Sequence, residues 1–478
     1  MNENADQPKL KHSLGLLDGT MIVAGSMIGS GIFIVSADIV RNVGSAGWLI
    51  VVWLLTGFMT LTAALSYGEL SAMFPKAGGQ YVYLKEAYNK LIAFLYGWSF
   101  FAVIQTGTIA AVGVAFSKFT AYLIPAVSED NILFSAGGVK ISAAQVVSII
   151  LIIILTFINT RGVKSGKWIQ NIFTVTKLLS LFGLIIFGFI MLKTDVWHAN
   201  WDNAWHLQKL NTDGTFSQYT LGAALGAIAA AMVGSIFSSD SWNNVTFIAG
   251  EMRNPKRDIA LSLFFGTLIV TIIYVSANFV YTSVLPLHDI ATATKDRVGV
   301  AASNAIFGNA GTIIIAILIM ISTFGCNNGL ILAGARVYYT MAKDGLFFKR
   351  TGDLNKFSVP EFGLWIQCIV ASILCLSGKY GDLLDMISFV VVIFYILTII
   401  GIYILRAKHP NAERPYKAFG YPVLPAIYIL MGLAFCTLLI IYKGQYAYGG
   451  LVIVLIGIPI YYISQRNVKD EDTTLNNA

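Results

Sequence analysis

The chain has 478 residues, 56% of them hydrophobic and only 12% charged, about half the charged share of a soluble protein. Its net charge of +7 is dispersed over many loops, which argues against a nucleic-acid surface. Four cysteines and five histidines form neither a disulfide framework nor a metal motif, and no histidine sits inside an apolar run. An intramembrane histidine hydrolase is thereby excluded, and the balance moves from enzyme toward transporter.

Taken in chain order, residues 1–12 are polar and do not read as a cleavable signal peptide. About twelve apolar segments follow, near 14–40, 46–72, 88–124, 142–160, 168–193, 217–250, 258–285, 310–341, 362–378, 383–405, 421–442 and 446–464. Most are long enough to span a bilayer as a helix. The longest polar stretch, 194–218, carries Trp197, Trp201 and Trp205, as expected of a loop at a membrane interface. Lysine and arginine are dense in alternate loops and sparse in the others. That asymmetry predicts both termini on the cytoplasmic side.

The first segment contains Gly25-Ser26-Met27-Ile28-Gly29-Ser30-Gly31-Ile32-Phe33. Glycine is a poor helix former, so this run predicts a helix broken at membrane depth. Such a break needs protein or water around it and lines a cavity; the alternative is a small-residue packing face. The sixth segment is interrupted by Ser238-Ser239-Asp240-Ser241-Trp242-Asn243-Asn244. Two broken helices five apart point to an inverted-repeat transporter. The repeats would be helices 1–5 and 6–10, seen in the pattern rather than in residue identity.

The chain resembles the amino acid–polyamine–organocation superfamily, and within it the L-type amino acid transporter family. The resemblance rests on Ile28-Gly29-Ser30-Gly31-Ile32-Phe33, on Tyr67-Gly68-Glu69-Leu70 with Phe74-Pro75-Lys76-Ala77-Gly78-Gly79-Gln80, on Phe237-Ser238-Ser239-Asp240-Ser241-Trp242-Asn243, and on Ser322-Thr323-Phe324-Gly325-Cys326-Asn327-Asn328-Gly329. It implies an all-α, twelve-helix membrane protein with a leucine-transporter-like 5+5 repeat and discontinuous helices 1 and 6. The expected organisation is a cytoplasmic tail over 1–12, a transport core over 13–405, helices 11 and 12 over 406–464 and a second tail over 465–478. The implied activity is alternating-access movement of amino acids across the cytoplasmic membrane. Sodium-independent exchange of neutral substrates is the simplest form. A proton-coupled symporter, a carrier of cationic amino acids or polyamines, and an amino acid-sensing receptor are the alternatives.

Candidate site residues follow from the breaks. Backbone N–H groups around Gly29, Ser30, Gly31 and Ile32 open a half-helix and favour a carboxylate. Carbonyls near Met27, Ile28, Phe237, Ser238 and Asp240 would accept the ammonium. The resemblance makes Phe237 an aromatic gate; the alternative is plain packing. Lys177 lies about nine residues into the fifth segment, roughly 14 Å deep. An ammonium there is expensive unless paired. By the resemblance it stands where sodium-coupled relatives hold a cation, tying helix 1 to Ser322 or Thr323 of helix 8. Asp240 either attracts a cationic group or holds the unwound backbone. Gln105, Thr106 and Thr108 either face the pocket or bond between helices. Glu69, Glu251, Arg253 and Arg336 are expected to form one inner ion-pair network. No metal site and no cofactor are expected. Residues 126–140 lack the cysteine that animal L-type light chains use for a heavy-chain disulfide, so no covalent heavy subunit is implied.

Overall fold

The computed structural model describes residues 14–476, apart from 137–138, 212 and 378–379. The expected tail over 1–12 lies outside them. The helices are α1 (Leu16–Met27), α2 (Ser36–Val43), α3 (Ala46–Met73), α4 (Gln80–Ala87), α5 (Lys90–Ser99), α6 (Gln105–Leu123), α7 (Ala143–Thr160), α8 (Val163–Ile190) and α9 (Thr194–Trp201). They continue with α10 (Leu221–Ser238), α11 (Asn244–Phe247), α12 (Pro255–Val284), α13 (Leu287–Ala291), α14 (Val298–Lys343), α15 (Glu361–Ser377), α16 (Tyr380–Lys408), α17 (Val423–Tyr442) and α18 (Gly444–Asn476). Among the described residues, ten helices are long and apolar enough to cross a membrane, and Leu16–Met27 and Glu361–Leu376 are shorter apolar helices.

The all-α expectation needs a small correction. Two antiparallel hairpins sit in loops: β1 (Ile132–Ala136) with β2 (Val139–Ser142), and β3 (Gln208–Leu210) with β4 (Phe216–Gln218). Within the segment expected as a tail over 465–478, α18 continues as helix to Asn476.

Local chemistry explains the irregular points. Ser142 and Gln145 form a reciprocal capping box at the start of α7, satisfying orphan N–H groups. α14 is interrupted at Gly308, whose φ of +66° suits a residue without a Cβ. α5 passes into α6 through a π-helical turn, Phe100–Ile104, and Thr106 donates its hydroxyl to the freed Phe101 carbonyl at 2.8 Å. Exposed Ile150, Ile153, Ile154 and Phe157 stripe the outer face of α7, as lipid contact requires. The interior holds large apolar and aromatic side chains such as Trp53, Trp242 and Phe33 together with buried polar groups such as Glu69, Gln105 and Lys177. α12 packs against α3, α1 and α8, which puts it beside both breaks.

Candidate functional site

Both breaks are present. α1 ends at Met27, Ile28 is extended (φ −75°, ψ 91°), and a 3-10 turn over Gly31–Phe33 leads to α2. α10 ends at Ser238 and the helix resumes as α11 at Asn244. Between them Ser241 adopts φ +65°. Around the first break, the N–H groups of Gly29, Gly31 and Ile32 have no acceptor among the described residues. Buried N–H groups are rarely left unpaired, and a cluster of them beside a 3-10 turn is a ready anion site.

The two breaks touch. A Cβ on Gly31 would collide with the Ser238 hydroxyl and come within 3.0 Å of its Cα. The Tyr274 hydroxyl of α12 lies 2.9 Å from the Met27 carbonyl oxygen and 3.0 Å from that of Ser238, and shares its one proton between them. Two turns further along α12, Tyr281 donates to the Ile32 carbonyl at 3.2 Å. A single helix face thus holds both sides of the first break and one side of the second. Neither tyrosine was legible in the sequence, because nothing in its spacing distinguishes a bonded tyrosine from a packed one.

Lys177 lies near the middle of α8, fully buried. Its ammonium donates to the carbonyls of Gly25 and, at 2.8 Å, Ile28. Ser322 of α14 reaches the same Ile28 carbonyl at 3.5 Å. Cys326 donates its thiol to the Ser26 carbonyl at 3.2 Å, so the end of α1 is tied to both α8 and α14. Thr323 is buried but bonds back to Ile319 and Met320 within its own helix. It therefore does not join the lysine, unlike Ser322.

Carbonyls expected to receive an ammonium already carry bonds: Met27 and Ser238 from Tyr274, Ile28 from Lys177, and Phe237 from the Asp240 N–H at 3.2 Å. The carbonyl oxygens of Met27, Phe237 and Ser238 retain a second lone pair, whereas that of Ile28 accepts from both Lys177 and Ser322. Phe237 is buried at the end of α10. Asp240 accepts from Tyr395 of α16 at 2.5 Å, so its described side-chain partner comes from a different helix. Gln105 donates to the Leu330 carbonyl at 2.6 Å and lines a small void with Asp240. Thr106 turns into its own helix, as does Thr108, which bonds to Ile104.

The bundle is unlike at its two ends. Where α1 begins, Arg336 pairs with Glu251 at 3.2 Å, and Asp344 receives Lys85 at 2.7 Å and Tyr81 at 2.9 Å. Leu14 bridges Met252 in strand fashion. The single network expected there is two. Glu69 is held by Arg406 at 2.7 Å, Arg414 at 3.3 Å and the Ala418 N–H at 2.7 Å, while Arg253 is exposed. At the opposite end a cavity of about 650 Å³ opens among α2, α6, α7, α10 and α16, lined in part by Asp38, Arg41, Glu129, Asp296, Asp385 and Lys443. Across its mouth, Lys295 pairs with Glu129 at 3.0 Å and Asp130 at 2.9 Å, and the adjacent Asp296 pairs with Arg41 at 2.8 Å.

Residues 14–463 match the family model described as amino acid permease. The chain is 29% identical over 456 residues to the serine/threonine exchanger SteT of Bacillus subtilis (strain 168), covering 95% of this chain and 97% of that protein. It is 28% identical to the b(0,+)-type amino acid transporter 1 of Oryctolagus cuniculus, with 93% and 91% covered. It is also 28% identical to the large neutral amino acids transporter small subunit 2 of Homo sapiens, with 95% and 80% covered. These relatives are transporters rather than enzymes, and their match runs through both helix breaks and the lysine between them. With its apolar spans and a family match over nearly its whole length, the chain belongs to the amino acid permease family of multi-pass membrane transporters.

Proposed function

We propose that the protein is a secondary transporter that exchanges neutral L-amino acids across the cytoplasmic membrane by alternating access, without sodium. The observation that carries this reading is the first break, where unpartnered N–H groups of Gly29, Gly31 and Ile32 adjoin carbonyls held by Lys177 and Tyr274. The N–H groups take the substrate carboxylate. The remaining lone pairs of Met27, Phe237 and Ser238 take its ammonium. Asp240 is tied to Tyr395 and keeps the second break unwound. Phe237 is the gate over the substrate.

In this reading twelve helices span the bilayer, counting the broken first helix and the short α15, and helices 1–5 and 6–10 are inverted repeats. Residues 13–405 form the core, helices 11 and 12 follow, and both termini are cytoplasmic. The chain works without a covalently attached heavy subunit. The open cavity faces outward, and the Glu251–Arg336 pair closes the inner side.

Lys177 replaces a coupling cation, since its ammonium sits on the carbonyls of Gly25 and Ile28. The same position favours a second reading, in which Lys177, held by the carbonyls of Gly25 and Ile28 with no acidic partner in those bonds, carries a proton through the cycle. That reading is proton-coupled symport. Counterflow in proteoliposomes separates them. Exchange that persists in choline medium and is indifferent to a pH gradient supports the first reading, and uptake driven by the gradient supports the second. No movement of any common amino acid would remove both.

A further inference from the structure

A second cavity, of about 480 Å³, is lined in part by Lys193, Val196, Pro286, Asp289, Ala301 and Asn304. Its volume falls in the range of small-molecule sites, about 300–1,000 Å³. Lys193 follows α8, Val196 belongs to α9, Pro286 and Asp289 to the start of α13, and Ala301 and Asn304 to the first turns of α14. The frame is firmly tied. Asn200 of α9 is buried, donates to the carbonyls of Thr282 at 2.8 Å and Leu285 at 2.9 Å, and accepts from the Leu287 N–H at 3.1 Å. The Lys193 N–H donates to the Ser283 carbonyl at 3.1 Å.

The surroundings put this cavity where hydrocarbon gives way to headgroups. Ile186 and Ile190 near the end of α8, and Ile313 and Ile314 of α14 just past the Gly308 interruption, are exposed, an apolar surface that suits acyl chains. The rings of Phe187 and Phe307 meet there at 5.6 Å and join the two helices. Beside them Trp197 stacks on Trp201 at 4.9 Å, and Trp201 on Phe279 at 5.7 Å. Tryptophan gathers at the headgroup level of a bilayer.

The charges on the lining select the occupant. Lys193 is exposed, and its ammonium has no partner among the described residues. Asp289 has only the imidazole of its neighbour His288, at 3.5 Å. One cation and one anion thus face the same cavity without meeting each other. A simple anion is repelled by Asp289, and a simple cation by Lys193. A group that carries a phosphate and an ammonium satisfies both, and Asn304 adds amide donors for the phosphate. A primary ammonium brings three N–H donors to the Asp289 carboxylate, whereas a quaternary one brings none. We propose that this cavity binds the headgroup of a phospholipid of the phosphatidylethanolamine class, its phosphate on Lys193 and Asn304, its ammonium on Asp289, and its acyl chains along Ile186, Ile190 and Ile314. The site also reaches the mouth of the bundle. Two residues beyond Asp289 on α13, the Ala291 carbonyl receives Arg41 of α2 at 2.8 Å. A headgroup that holds α13 therefore steadies the anchor of the helix that follows the first break.

The test is native mass spectrometry of the full chain, delipidated in detergent and titrated with phosphatidylethanolamine, phosphatidylglycerol or phosphatidylcholine of identical acyl chains. The ethanolamine lipid is expected to be retained about fivefold more than either of the others, the scale of one half-exposed ion pair. It should also raise the thermal midpoint the most. Lys193→Gln and Asp289→Asn are each expected to bring the three lipids within about twofold of one another. Both side chains are exposed, so neither change threatens the fold, and a thermal midpoint in lipid-free detergent equal to that of wild type verifies this. Equal retention of the three lipids by the wild type, or a preference that survives in Lys193→Gln, would overturn the site. Stronger retention of phosphatidylglycerol would show a site for anionic lipid and overturn the pairing with Asp289. Soluble glycerophosphoethanolamine that displaces the lipid at equal concentration would show a pocket for free zwitterions and overturn the lipid assignment. None of these results bears on which amino acid the protein carries.

Discussion

Arg336 and Glu251 meet at 3.2 Å with side chains only 3% and 5% exposed. The pair joins α14 to the end of the second broken helix, so it cannot persist if those elements separate. Removing one partner of such a pair strands a buried charge, at a cost of about 3–5 kcal/mol. Arg336→Ala is therefore expected to lower exchange at least about tenfold and to lower the thermal midpoint of the purified protein. The swap Glu251→Arg with Arg336→Glu should recover part of both. Wild-type exchange in Arg336→Ala would show that the pair does not close the inner side.

Lys177→Ala removes the donor to Gly25 and Ile28 and leaves those carbonyls in a buried site. Loss of a charged hydrogen-bond partner is worth about 1.5–3 kcal/mol, and exchange should fall by about one to two orders of magnitude. Lys177→Arg keeps a cation that does not titrate in proteins. If arginine restores exchange, the lysine acts as a fixed tie. If it restores exchange but never pH-driven uptake, the proton-coupled reading gains. Wild-type uptake that stops when choline replaces sodium would refute the assignment of the cation site to the ammonium.

Gly31 is crowded by one identifiable neighbour, Ser238. Gly31→Ala should insert and accumulate normally while losing exchange. Adding Ser238→Gly removes the hydroxyl and Cβ from that contact, so the double variant should regain measurable exchange. The Ser238 Cα would still lie 3.0 Å from the new methyl, so recovery will be partial. A single variant as active as wild type would separate this glycine from the carboxylate site.

Phe237→Ala should bind substrate weakly and turn over slowly, because water is no longer excluded. Phe237→Trp should keep part of the rate. Substrate binding measured by thermal shift, set beside the exchange rate, tells gating from packing. An alanine variant as fast as wild type would reassign Phe237 to packing.

The breaks were legible because glycine and serine at membrane depth leave few alternatives to an unwound backbone. Lys177 was legible for a similar reason, since a buried ammonium must find carbonyls. Partner choice was harder to read. Ser322 and Thr323 are neighbours with interchangeable chemistry, yet only Ser322 points toward Ile28, a distinction set by one step of helical rotation. Tyr274, Tyr281 and Tyr395 were invisible among 22 tyrosines, because their hydroxyls gain meaning only through packing across helices. Glu69 was expected among the inner charges, but its partners Arg406 and Arg414 lie more than 300 residues away in sequence. Linear order carries no such pairing.

The successive residues Lys295 and Asp296 both adopt positive φ, 57° and 61°, and reach in different directions to Asp130 and Arg41. These pairs are a third or more exposed, whereas Glu251 and Arg336 are sealed. Mobile ions weaken exposed pairs over a Debye length of about 10 Å at 0.1 M and reach buried ones far less. The two ends of the molecule therefore answer differently to the surrounding medium. Raising ionic strength weakens the pairs around Lys295 while the sealed Glu251–Arg336 pair is little affected. Salt sensitivity in this molecule is thus set pair by pair, greater for Lys295 and Arg41 at the mouth than for the Glu251–Arg336 pair.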